Sequence, residues 1–93
     1  MSSEQFDSVW DAIEDTPQQS ENMRLRSRLM MALAEQITAE AWTQKQAASR
    51  LGVTQPRISD LVRGKIDLFS LDSLVNMVVA AGLHIQMSVE HAA

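Results

Sequence analysis

The chain has 93 residues, 45% hydrophobic and 22% charged, a composition that suits one small folded domain and excludes both a two-domain enzyme and a disordered polymer. It has no cysteine, so neither a disulfide framework nor a thiolate metal site is open to it, and its small core must be held by packing or by a partner chain. The formal net charge of -4 is unevenly placed: residues 1–21 hold six acids and no base, whereas residues 41–66 hold Lys45, Arg50, Arg57, Arg63 and Lys65 against Asp60 alone.

No apolar run approaches the roughly 18 residues of a membrane span. The opening MSSEQFDSVWDAIED is acidic where a signal peptide is basic and then apolar, so the chain reads as cytoplasmic. Phe6, Val9, Trp10 and Ile13 recur at helical spacing, with Asp7, Asp11, Glu14 and Asp15 on the other side. This predicts a short amphipathic helix, which at roughly ten residues must dock on something to persist in water. Thr16-Pro17 starts a second helix, Gln19 completing a T-x-x-Q capping box. Leu25, Leu29, Leu33 and Ile37, flanked by Met23, Met30 and Met31, give it an apolar face through about Glu40.

Thr43, with Gln46 three residues on, caps a third helix that buries Ala47, Ala48 and Leu51 and stops at Gly52. Thr54 caps a fourth, with Pro56 tolerated in the first turn and Gly64 at the end. Ser70, followed by Asp72, starts a fifth, whose apolar positions Leu71, Leu74, Val75, Val78 and Val79 run to Gly82. Residues 83–89 then alternate: Leu83, Ile85, Met87 and Val89 on one face, His84, Gln86 and Ser88 on the other, which predicts a β-strand. With no partner strand in the chain, two copies pairing antiparallel across a two-fold axis would cover its edge. The competing arrangement folds it back on its own helices, with dimerisation elsewhere. The expected fold is therefore mainly α, in three parts: an acidic arm over residues 1–21, a helical domain over 22–82, and a dimerisation strand and tail over 83–93.

The stretch TQKQAASRLGVTQPRISDLVRG, from Thr43 to Gly64, is two capped helices joined across Gly52-Val53, the spacing of a helix-turn-helix. Small Ala47 and Ala48 allow close approach, and Val53, Ile58, Leu61 and Val62 fill the angle between the helices. A buried arc of Ile58, Leu61 and Val62 leaves Gln55, Pro56, Arg57, Ser59, Asp60 and Arg63 toward solvent. This stretch closely resembles the motif of the Cro/cI-type (XRE) helix-turn-helix family, T-Q-x-x-x-A-x-x-L-G-V-[ST]-Q-x-x-[IV]-S-x-[LW]-x-x-G-K. The block F-x-x-V-W-D-A-I-E-D-T-P before it and G-K-I-D-L-F-S-L-D-S-L after it resemble the HigA-like antitoxins. The resemblance implies a five-helix lambda-repressor-like DNA-binding domain, an operator-binding homodimer, and a HigB/RelE-like ribonuclease toxin that the protein binds and silences.

Carried over, the motif places Thr43 and Gln44 at the start of the first motif helix, Gln44 donating to a phosphate, and Thr54 and Gln55 at the start of the recognition helix, Gln55 near a base edge. Glutamine pairs with adenine N6 and N7 and arginine with guanine O6 and N7, so Gln55 and Arg57 are the first choices for sequence readout. Ser59 suits either a base or a phosphate. Lys45, Arg63 and Lys65 belong on the phosphate backbone. Pro56 stands where related repressors carry a polar reader and offers only an apolar contact. Asp60 is expected between Arg57 and Arg63, orienting them, or accepting from cytosine N4.

Phe6, Val9, Trp10 and Ile13 on the acidic arm suit a toxin of basic charge, Trp10 serving as the anchor. Trp42 reads as packing, as do Met30, Met31 and Met77. The triplet Arg24, Arg26 and Arg28 fits either a contact with DNA or toxin or a solvated helix flank, Arg26 pointing roughly opposite to the other two. His84 and His91 have no neighbouring ligands, so no metal is expected. No Gly-rich phosphate loop and no catalytic cluster is present, so neither an enzyme nor a cofactor is expected. Two functions fit: an antitoxin that represses its own operon, and a stand-alone repressor in which the arm packs on the domain.

Overall fold

The computed structural model describes residues 16–92. The amphipathic segment expected over Phe6, Val9, Trp10 and Ile13 lies outside the described residues. Within them the chain forms α1 (Pro17–Ala39), α2 (Gln44–Leu51), α3 (Gln55–Val62) and α4 (Leu71–Ala80), with a 3-10 turn at Ile66–Leu68 between α3 and α4.

Each helix starts where a hydroxyl can accept from an otherwise unpaired amide. Thr16 Oγ1 accepts from the Gln19 amide at 3.1 Å and Thr54 Oγ1 from the Arg57 amide at 3.3 Å. Thr43 and Gln46 form a full reciprocal box, and Ser70 forms another with Ser73, a partner that the acid-centred reading of Asp72 overlooked. Three helices end in the same way, by a paired Schellman closure. In α1 the Trp42 amide reaches Ile37 O and Ala41 reaches Thr38 O; in α3 Lys65 reaches Asp60 O and Gly64 reaches Leu61 O; in α4 Leu83 reaches Val78 O and Gly82 reaches Val79 O.

One core joins all four helices. Leu33 of α1, Ile58 and Leu61 of α3 and Leu74 of α4 are its fully buried centre, with Ala47, Ala48 and Leu51 of α2 and Phe69 of the α3–α4 connection around it. Ala47 has no exposed surface, consistent with the close approach that a small side chain permits between α2 and α3. Trp42 packs against this core, as expected.

Three expectations need correction. On α1 the four-residue spacing of Leu25, Leu29, Leu33 and Ile37 drifts by about 40° per step at roughly 100° per residue, so one face cannot bury all four. The buried residues are Met30, Leu33 and Ile37, and Met31 is exposed. On α3, Val62 is 45% exposed, so the buried arc narrows to Ile58 and Leu61. Residues 83–92 have no regular secondary structure, so the strand expected over 83–89 is not formed within the single chain. Leu83 is drawn in by the closure of α4, and Ile85, two residues on, also packs on the core. Leu83 and Ile85 thus fold back on the chain's own helices, while Met87 and Val89 are exposed.

Candidate nucleic-acid interface

The side of α3 opposite Ile58 and Leu61 is centred, at about 100° per residue, between Pro56 and Arg63, with Ser59 and Asp60 roughly 50° to either side. Gln55, Pro56 and Arg63 are exposed, and Ser59 and Asp60 half-buried. At the start of α2, Gln44 and Lys45 are exposed, because Ala47, Ala48 and Leu51 carry all the burial of that helix. Thr43 and Thr54 each accept one helix amide at the hydroxyl oxygen, so each fixes a helix start, and its O–H is a separate donor. Gln55 and Pro56 of α3 and the cations Lys45, Arg63 and Lys65 are thus exposed, and Ser59 is half-buried.

Two residues expected beside them are engaged elsewhere. Arg57 lies about 110° from the centre of the exposed arc, on the flank of Leu61. Its Nη1 donates to the Leu68 carbonyl at 2.8 Å, and its guanidinium carbon sits 4.6 Å from the centroid of the Phe69 ring. Asp60 does not bridge Arg57 and Arg63: its carboxylate faces Lys65 Nζ at 3.8 Å. The closure of α3 explains this, since the Lys65 amide bonds the Asp60 carbonyl at 3.0 Å and turns the lysine back over the helix.

The family model described as a helix-turn-helix domain matches residues 12–90. The chain belongs to the helix-turn-helix domain family. Its fold is similar to a solved structure described as a candidate XRE-family transcriptional regulator, with a TM-score of 0.72 and 29% sequence identity over 78% of this chain and 82% of that one. No curated protein shows significant similarity.

Two further arginines of this helix-turn-helix protein are held within the fold. Arg26 of α1 donates from Nη1 to the carbonyls of Ile66 at 3.0 Å and Phe69 at 3.4 Å, while its Nε bonds Asn22 Oδ1 at 2.7 Å. Neither expected role, a contact with DNA or toxin or a solvated flank, included this, although the signal was present: Arg26 shares the arc of Met30, Leu33 and Ile37, within about 60°. Arg50, at the end of α2, lies over the Trp42 ring at 5.3 Å. Arg24, by contrast, pairs with Glu21 on the surface, its guanidinium holding that carboxyl below the usual carboxylate range. Among the described residues no group of three or more His, Cys, Asp and Glu side chains could hold a metal, and no helix is long and apolar enough to cross a membrane.

Proposed function

We propose that this protein is a homodimeric, HigA-like antitoxin that represses its own operon by laying α3 in the major groove of an operator. A helix-turn-helix protein of this type is a DNA-binding transcriptional regulator; the operator, the dimer and the toxin are the finer parts of the reading. One observation carries it: Pro56 and Arg63 lie on the side of α3 opposite buried Ile58 and Leu61, with half-buried Ser59 beside them, and Gln55 is exposed at the first turn. Gln55 reads a base edge, Pro56 touches a thymine methyl, and Ser59 takes a base or a phosphate. Gln44, Lys45, Arg63 and Lys65 hold the backbone, and Thr43 and Thr54 hold the two helix starts.

Two copies related by a two-fold axis would present two such helices to successive turns of a palindrome. The tail joins them: Leu83 and Ile85 anchor it, and exposed Met87 and Val89 face the partner. The acidic arm, through Phe6, Val9, Trp10 and Ile13, takes a basic ribonuclease of the HigB/RelE kind. A gel shift on the DNA upstream of its own gene tests the regulator, and co-purification with the product of the adjacent gene tests the antitoxin. A specific shift without any captured ribonuclease returns the stand-alone repressor; no shift at any salt concentration refutes the DNA reading.

A further inference from the structure

We propose that Arg57 and Arg26 are positioning residues that clasp the connection between α3 and α4, so that the cations around it meet the phosphates in fixed register. This rests on the DNA-binding reading and deepens it, because it removes Arg57 from the base-reading set and gives it another task.

The connection is short and irregular. After α3 closes at Gly64, the chain makes one 3-10 turn, Ile66–Leu68, and delivers Phe69 into the core at 3% exposure before Ser70 caps α4. The 3-10 turn serves the connection's carbonyls only in part, the Phe69 amide donating to Ile66 O at 3.2 Å, and irregular backbone of this kind takes further donors from side chains. Guanidinium groups reach three of these carbonyls: Arg26 serves Ile66 and Phe69 from α1, and Arg57 serves Leu68 from α3. Arg57 also stacks on Phe69, using the planar face of the same group whose edge donates to Leu68. Lysine, a point charge without that plane, could not do both. Arg63 and Lys65 sit at the near end of this connection. Holding it against two helices fixes where those cations stand relative to Gln55 and Ser59 on the same recognition helix.

The variant Arg57→Met keeps an apolar stem against Phe69 and removes the donor and the charge; Arg57→Lys restores the charge alone. The proposal expects both to accelerate hydrogen exchange of the Leu68 and Phe69 amides by about fivefold to tenfold, the factor that matches one net hydrogen bond. Operator affinity should fall by one common factor across a panel of single-base-pair operator variants, with the slope of log affinity against log salt unchanged. Arg26→Met should repeat the exchange result from α1, a helix outside the residues assigned to DNA above. The proposal is overturned if exchange at Leu68 and Phe69 is unaltered, if Arg57→Lys restores wild-type behaviour in full, or if Arg57→Met loses discrimination at a single base pair. The exchange measurement needs no nucleic acid, so a wild-type protein that binds no DNA would sink the regulator reading and leave the clasp to be judged on exchange alone.

Discussion

The Trp42 amide donates to the Ile37 carbonyl at 3.1 Å, and between the two residues Ala41 holds the left-handed conformation, at φ 56°. The matching positions at the ends of α3 and α4 are Gly64, at φ 73°, and Gly82, at φ 85°. A side chain in this region is disfavoured by roughly 1–2 kcal/mol, while glycine gives back part of that through its freer unfolded chain. Ala41 is exposed, so its methyl contributes little packing. Ala41→Gly should therefore raise stability by about 0.5–1 kcal/mol, or several degrees in Tm for a domain of this size. Ala41→Val should lower it. Urea denaturation measures both, and a destabilised glycine variant would show that the turn is not strained at this position.

Caps at helix starts should count individually. Thr43→Ala removes the acceptor for the Gln46 amide and Ser70→Ala the acceptor for the Ser73 amide, each costing about 1 kcal/mol. Thr43→Ser should recover most of the loss, since only the hydroxyl oxygen is required. Chemical denaturation of the three variants checks this, and equal stability of Thr43→Ala and wild type would mean that water replaces the threonine.

The starts and stops of helices were legible in the sequence because they depend on neighbours three to five residues apart, as Thr43 with Gln46 and Lys65 with Asp60 show. The faces were legible only in part. Hydrophobicity assigns Val62 and Met31 to the core, yet α3 has room for one narrow arc, and its neighbour across that arc is the stem of Arg57. The clasp itself was hidden for a related reason: Arg26 and Arg57 serve carbonyls 40 and 11 residues away, and no local pattern reports such partners. Likewise the alternation of Leu83, Ile85, Met87 and Val89 is real, but what the first two residues meet is a property of the folded helices.

The narrowed arc on α3 leads to a direct contrast between two aliphatic positions. Ile58 is wholly buried and Val62 is 45% exposed. Ile58→Ala should cost about 2–4 kcal/mol through lost burial and the cavity left behind. Val62→Ala should fall within about 0.5 kcal/mol of wild type, as surface changes do. Comparable losses at both sites would mean that another surface, such as a second subunit, covers Val62.

Gln55 is exposed at the first turn of α3 and has no competing partner among the described residues, so its amide is available to a base edge. Gln55→Ala should reduce discrimination by about 1–3 kcal/mol at one position of each half-site and leave binding to unrelated DNA nearly unchanged. Competition binding over single-base-pair variants reads this directly. A uniform loss at every position would instead assign the glutamine to the phosphate backbone.

Lys45, Arg63 and Lys65 supply three cations per subunit, so a dimer should bind its operator with a log affinity against log salt slope of about -5, by the usual 0.9 per phosphate. Lys45→Ala removes two of these from the dimer and should make the slope shallower by about 2. Asp60 has the opposite sign and faces Lys65 at 3.8 Å, with the aspartate side chain 28% and the lysine side chain 50% exposed. Such a half-exposed pair contributes little to folding, so Asp60→Asn should leave stability within about 1 kcal/mol of wild type. It should also release Lys65 and tighten binding several-fold on every sequence tested, most strongly at low salt, where screening is least. If Asp60 accepts from a cytosine N4 instead, the same substitution will weaken binding, and only on operators that carry that cytosine.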